Sequence, residues 1–155
     1  MKTQLYPEDA VCAYAARKTG RAVHWRASRT EEFLAGNHGR DQYNEGELAL
    51  DGQGKILGLR VRIWGNVGAY ASGPGTVSVV AVGPKVITGV YHIPTLDLRS
   101  KAYITNTNLV GAYRGAGRPE AIYLIERLMD QAAAEMKMDP AELRRRNLIQ
   151  PEAMP

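Results

Sequence analysis

The chain has 155 residues, 45% of them hydrophobic and 23% charged, and 20 Lys and Arg against 16 Asp and Glu leave a net charge of +4. That composition fits one folded domain, too apolar for a disordered chain and too sparsely basic for a nucleic-acid arm. The lone cysteine, Cys12, excludes an intrachain disulfide and a cysteine-only metal site. No apolar run approaches the ~20 residues of a membrane span. Residues 1–7 lack the apolar stretch of a signal peptide, so a cytoplasmic protein is expected.

Pro7-Glu8-Asp9 opens a first helix, with proline at the first helical position and acids where the helix dipole is positive. Arg17, Lys18 and Gly20 close it with a basic turn and a glycine stop. Cys12 lies mid-helix among alanines and reads as a small buried residue. Residues 22–27, carrying Val23 and Trp25, are a short strand candidate. Ser28 then caps a short helix over 30–34, with Glu31 completing a capping box. The clearest β signal follows: residues 42–50 and 56–64 flank Asp51-Gly52-Gln53-Gly54, a hairpin turn. In the second strand Leu57, Leu59, Val61 and Ile63 share one face, while Arg60 and Arg62 take the other.

Residues 65–89 carry little charge, are broken at Gly73-Pro74-Gly75, and form the apolar stretch expected to be exposed in an isolated chain. Within them 77–82 is a helix or a buried strand, which periodicity does not decide. Residues 96–107 form a strand with Leu96, Leu98, Ser100 and Ala102 on one side. Pro119-Glu120 opens a long helix with Ile122, Ile125, Leu128, Met129, Ala132 and Met136 on one side. Asp139-Pro140-Ala141-Glu142 starts another over 141–147. Hairpins mixed with terminal helices predict an α+β fold with a mixed sheet, one domain over 1–150 and a tail at 151–155.

Chemistry concentrates between Asn106 and Glu120. A strand delivers the chain into a loop with Gly111, Gly115 and Gly117, flanked by Arg114 and Arg118, and then into a helix start. Glycines admit a ligand close to the backbone, and free N–H groups at a helix start favour anions. An anion cradle and a tight strand-to-helix turn both fit this pattern, since neither GxGxxG nor GK[ST] is present. His24, His38 and His92 have no metal-ligand spacing. Arg144-Arg145-Arg146 supplies cations to a helix C-terminal turn. Without interleaved aromatics it argues against a nucleic-acid partner. Glu45 and Glu47 share a strand face that meets solvent.

The run Gly111-Ala112-Tyr113-Arg114-Gly115-Ala116-Gly117-Arg118-Pro119-Glu120 resembles the active-site loop of the molybdenum hydroxylases, the xanthine dehydrogenase, aldehyde oxidase and carbon monoxide dehydrogenase large-subunit family. Tyr6-Pro7-Glu8-Asp9, Asn37-His38-Gly39-Arg40-Asp41, Gly68-Ala69-Tyr70, Tyr91-His92-Ile93-Pro94 and residues 139–149 resemble family segments in the family's order. The resemblance implies a molybdopterin-binding oxidoreductase subunit that hydroxylates a substrate carbon with oxygen from water. It implies a molybdenum-pterin cofactor of the molybdopterin cytosine dinucleotide type, with Ala112, Tyr113, Arg114, Gly115, Ala116 and Gly117 as cofactor-binding residues. It also implies, as partners, the remainder of the large subunit and FAD-binding and iron–sulfur subunits or domains.

The departures narrow the substrate. Gly115 stands where carbon monoxide-oxidising members carry a copper-bridging cysteine, and without a thiolate there is no soft Cu(I) ligand. Ala116 stands where purine-oxidising members stack a phenylalanine, and 77–86 contains none of their substrate-orienting arginine. An aldehyde or a small N-heterocycle remains. Family subunits are several times longer: Met1-Lys2 resembles the tail of a Gly-Gly-x-Phe-Gly loop, and the family's catalytic glutamate has no counterpart here. The chain alone is therefore expected to bind no molybdenum, to lack turnover and to self-associate. The alternative is a non-catalytic binding or assembly module of the same fold.

Overall fold

The computed structural model describes residues 5–71 and 74–153. Met1-Lys2 lies outside them, as do Gly73 of the expected break and the last two residues of the tail. The chain begins with helix α1 (Pro7–Thr19), which the Tyr6 N–H opens by donating to Asp9 Oδ2 at 3.0 Å. It ends at Gly20, whose φ of 65° is the left-handed stop expected of that glycine. Helix α2 (Arg29–Ala35) has the predicted capping box: Glu31 N donates to Ser28 Oγ and Ser28 N to Glu31 Oε2, at 3.2 and 2.7 Å. Neither helix contains a buried residue, so Cys12 is half-buried rather than enclosed as expected. Residues 22–27 form no strand. No strand runs beside them among the described residues, and without a ladder partner an extended segment gains nothing from its alternation.

The hairpin forms as read. Strands β1 (Gln42–Leu50) and β2 (Ile56–Gly68) pair antiparallel, and Asp51 Oδ1 accepts the N–H groups of Gln53 and Lys55 at 2.9 and 2.8 Å to fix the turn. One residue departs from the predicted face. The register steps from Ala49↔Gly58 to Leu50↔Ile56, a bulge that expels Leu57, 51% exposed, and puts Ile56 in the core instead. β2 also runs four residues beyond the predicted end, because β3 (Leu96–Ile104) pairs with it in parallel from Leu59↔Leu96 to Gly68↔Ile104. Among the described residues the sheet has the order β1-β2-β3.

Its inner face carries Leu59, Val61 and Ile63, covered by α4 (Arg118–Glu135) through Ile125, Met129, Ala132 and Ala133. Leu128 and Met136 pack at the margin as expected, whereas Ile122 is 41% exposed, and Ala121 takes the buried place one position before it. Residues 77–82 resolve as helical: α3 (Pro74–Val77) runs into a π-turn over Ser78–Val82, closed by Gly83 N donating to Ser78 O at 3.1 Å. Val79 occupies the space over Gly65, and Ser100 Oγ donates to its carbonyl at 3.0 Å. Much of the 65–89 stretch is thus buried, including Val67, Val79 and Ile87. The exposed large apolar residues concentrate instead in the N-terminal segment, among them Trp25, Phe33 and Leu34.

Helix α5 (Pro140–Asn147) starts on Asp139, whose carboxylate accepts Glu142 N at 2.9 Å. It is bolted to the hairpin by the fully buried Asn147, which accepts Ile56 N at 2.8 Å and donates to the carbonyls of Gly54 and Leu143 at 2.8 and 2.9 Å. The basic run does more than complement a dipole: Arg144 reaches Glu126 and Asp130 of α4, each at 2.8 Å. Glu126 also accepts the Tyr91 hydroxyl at 2.7 Å, and burial together with that carboxylate pushes the Tyr91 pKa up to about 12. Among the described residues no helix is long and apolar enough to cross a membrane.

Candidate cofactor loop

After β3, a polar knot lifts the chain away from the sheet. Asn66 donates to Asp41 Oδ2 and Thr107 Oγ1 at 2.7 and 2.8 Å, and accepts Thr105 Oγ1 at 2.7 Å. Residues 36–41 then run alongside as a strap: His38 N donates to Leu109 O at 3.2 Å, Gly111 N donates to His38 O at 2.7 Å, and Asn108 Nδ2 donates to Gly36 O at 3.0 Å. From the other side the α3 segment presses in. Gly75 sits against the Val110 carbonyl with no room for a side chain, and a Cβ on Gly83 would lie 2.9 Å from Gly117 O. The loop is therefore held on both flanks.

Its tip reverses in three successive left-handed residues, Gly115, Ala116 and Gly117, at φ 96°, 48° and 92°. Two are glycines, for which this region is free; Ala116 pays a cost of about 1 kcal/mol there. Ala116 N donates to Tyr113 O at 2.7 Å and Arg118 N to Gly115 O at 3.1 Å, which closes the turn onto α4. Tyr113, Arg114 and Gly115 are exposed, Ala112 and Ala116 half-buried, and Gly117 buried. The structure thus brings all six predicted loop residues into one turn.

What the turn offers chemically is donors. Among the described residues no acceptor meets the backbone N–H of Ala112, Tyr113, Arg114, Gly115 or Gly117, and none meets the Arg114 guanidinium. Tyr113 borders an open cleft of about 950 Å³ whose other walls include Arg26, Arg29, Phe33, Asn37 and His38. Glu31 also lines it, but its carboxylate is held by Ser28 N, which keeps its pKa below the ordinary value. Among the described residues no group of three His, Cys, Asp or Glu side chains is placed to hold a metal, so this donor set suits an anionic group bound by hydrogen bonds and cations.

Two residues outside the six predicted as cofactor-binding, Arg40 and Glu120, also adjoin the loop. Arg40 Nη1 lies 3.1 Å from Glu120 Oε2, its Nη2 donates to the carbonyl of Arg114, and its guanidinium stacks 4.9 Å from the centre of the Tyr113 ring. Arg40 and Glu120 lie eighty positions apart, and nothing local in the sequence pairs them. The strap could be recognised only as a family segment.

A family model for the molybdopterin cofactor-binding domain matches residues 1–148. The chain belongs to that family, the molybdopterin-binding domain of molybdenum hydroxylase large subunits. Over 156 aligned residues this molybdopterin-binding domain is 38% identical to the 6-hydroxypseudooxynicotine dehydrogenase complex subunit gamma of Paenarthrobacter nicotinovorans, covering 100% of this chain and 19% of that protein. It is 33% identical to the nicotine 6-hydroxylase large subunit of the same organism, over 96% of this chain and 18% of the relative. Among solved structures, quinoline 2-oxidoreductase from Pseudomonas putida 86 superposes with a TM-score of 0.88 at 39% identity, covering 97% of this chain and 19% of that one. The domain spans about a fifth of the length of these relatives.

The donor set fits the family's group. A pterin phosphate and an oxidised metal centre both call for hydrogen-bond donors and cations, and the loop carries both: unpaired backbone N–H groups and the exposed Arg114 guanidinium, with Tyr113 at the edge of the open cleft.

Proposed function

We propose that this domain supplies the 112–117 loop of a large subunit that hydroxylates an N-heterocycle, with water as the oxygen source. A molybdenum-pterin group of the cytosine dinucleotide type, when bound, would supply the two-electron oxidation. The chain's own part is binding and orientation. Backbone N–H groups of Ala112, Tyr113, Arg114, Gly115 and Gly117 would donate to the group, and the Arg114 guanidinium would neutralise its charge. The observation that carries the reading is this row of unspent donors on a turn held from both flanks.

Three features bear on the substrate. Gly115 offers no thiolate for copper, Ala116 offers no ring to stack on a purine, and 77–86 holds no arginine to orient one. The names of the relatives above refer to quinoline, nicotine and a nicotine derivative, which favours a ring nitrogen compound over a simple aldehyde. Iron–sulfur and FAD-binding subunits are the proposed electron acceptors. The 155-residue chain alone would bind no molybdenum, lack turnover and self-associate through its exposed apolar N-terminal segment. A strictly monomeric sedimentation profile at high concentration would count against the last point.

The test is the complete subunit with its electron-accepting partners. About one molybdenum per subunit, CMP released by acid hydrolysis, and dye-linked oxidation of quinoline faster than of benzaldehyde are expected. Arg114→Ala should reduce molybdenum content several-fold. An Arg114→Ala enzyme with full molybdenum content and unaltered turnover sinks the assignment of the loop.

A further inference from the structure

We infer that Arg40 is a positioning residue that sets the conformation of the cofactor loop, an inference resting on the reading of residues 112–117 as the cofactor-holding turn. One side chain joins three separate parts of that turn. Its Nη1 meets Glu120 Oε2, in the first turn of α4, at 3.1 Å. Its Nη2 donates to the Arg114 carbonyl at the loop tip. Its guanidinium plane covers the Tyr113 ring at 4.9 Å. Only the planar fork of arginine makes these contacts together; a lysine ammonium reaches one of them at a time.

Where Arg40 stands in the backbone supports this. Its φ is 61°, a left-handed conformation that a long side chain rarely takes and that persists only when its surroundings enforce it. The strap around it supplies the enforcement. Gly39, one position before, meets Tyr113 so closely that a Cβ would sit 2.6 Å from Tyr113 Cβ, and Asp41, one position after, is held by Asn66 at 2.7 Å. Glu120 is 14% exposed and Arg40 33%, so the pair is partly shielded from water while Tyr113 and Arg114 remain open. By occupying the Arg114 carbonyl, Arg40 fixes the orientation of the next peptide, whose N–H belongs to Gly115. The Gly115 N–H is thereby held in one orientation before any ligand arrives, so its ordering is not charged against binding.

The test separates the clamp from the cofactor reading. In the 155-residue chain, hydrogen exchange of the two hydrogen-bonded loop amides, Gly111 and Ala116, should rise tenfold or more in Arg40→Gln and in Glu120→Gln, with 125–133 unchanged. Arg40→Lys should recover only part of the protection. Arg40→Gly relaxes the left-handed backbone while deleting the side chain, so it should loosen the loop as Arg40→Gln does without lowering the melting temperature. In the complete subunit Arg40→Gln should retain less than half the molybdenum of the parent. Unchanged loop exchange in both Arg40→Gln and Arg40→Gly overturns the clamp outright. Faster loop exchange with full molybdenum retention overturns the positioning role and faults the reading of the loop, while leaving the contacts of Arg40 as described.

Discussion

The N-terminal segment and the sheet–helix body are held by different means. α1 and α2 contain no buried residue, and Val11, Tyr14, Phe33 and Leu34 are each more than 60% exposed. Their helicity rests on local devices: Asp9 and Glu31 at the starts, Ser28 as a cap, Gly20 as a stop. The body has a continuous core in which Val61, Ile125, Met129 and Leu143 are at or near zero exposure. The 111–117 loop is anchored to both, with the strap 36–41 on one flank and the α3 segment on the other. Order at the loop tip therefore depends on the joint between two regions of unequal stability.

That contrast can be broken from the body side first. Ile125→Ala removes a fully buried side chain between α4 and the sheet and should cost about 3 kcal/mol of global stability, read from a denaturant midpoint. Asn147→Ala comes next, at about 2 to 3 kcal/mol, since it leaves the buried Ile56 N–H and the Gly54 carbonyl without their side-chain partner. Its exchange signature should appear in the 51–56 turn and α5 together. From the other side, Ser28→Ala should cost about 1 kcal/mol of α2 stability. It should quicken exchange over 29–35 while the global midpoint stays put; a midpoint that falls in step would show the two regions to be one cooperative unit. The smallest effect is a pH response of the same helix. Hydrogen bonds from Ser28 hold the Glu31 pKa below its ordinary value, so the box contributes fully above the unfolded carboxyl value, about 4.3. Its contribution is lost as pH falls through the lower folded value. Protection over 29–35, taken relative to intrinsic exchange at each pH, should be lower at pH 3 than at pH 6, and Glu31→Gln should reduce that difference.

Elements with local signatures were legible from residues alone. The β1–β2 turn, the α2 box, the Asp139 cap and the Pro119 start all lie within a few positions of the residues they organise. That residues 112–117 turn the chain from a strand region into a helix was legible as well, through glycine spacing and the Pro119 start. What local pattern did not carry was whatever depends on a distant partner. β3 lengthens β2 by pairing across the whole α3 segment, one bulge residue sends Leu57 outward, and residues 22–27 have no neighbouring strand to pair with among the described residues. Arg40 is the same lesson at the site. Its role exists only because residues 36–41 and 113–120 are brought side by side.

The parallel pairing of β2 with β3 also dictates a sequence of events during synthesis. β1 and β2 are joined by the short 51–55 turn and need only their own residues to associate, whereas β3 must wait for all of 69–95 to be made and folded back. Closing that longer loop is entropically the dearer step. Until residue 104 has been made, the far edge of β2 remains bare, with Leu59, Val61 and Ile63 still lacking the cover of α4. Ribosome-stalled chains ending near residue 90 should accordingly be captured by hydrophobic-binding chaperones, and chains extending past residue 135 should escape them.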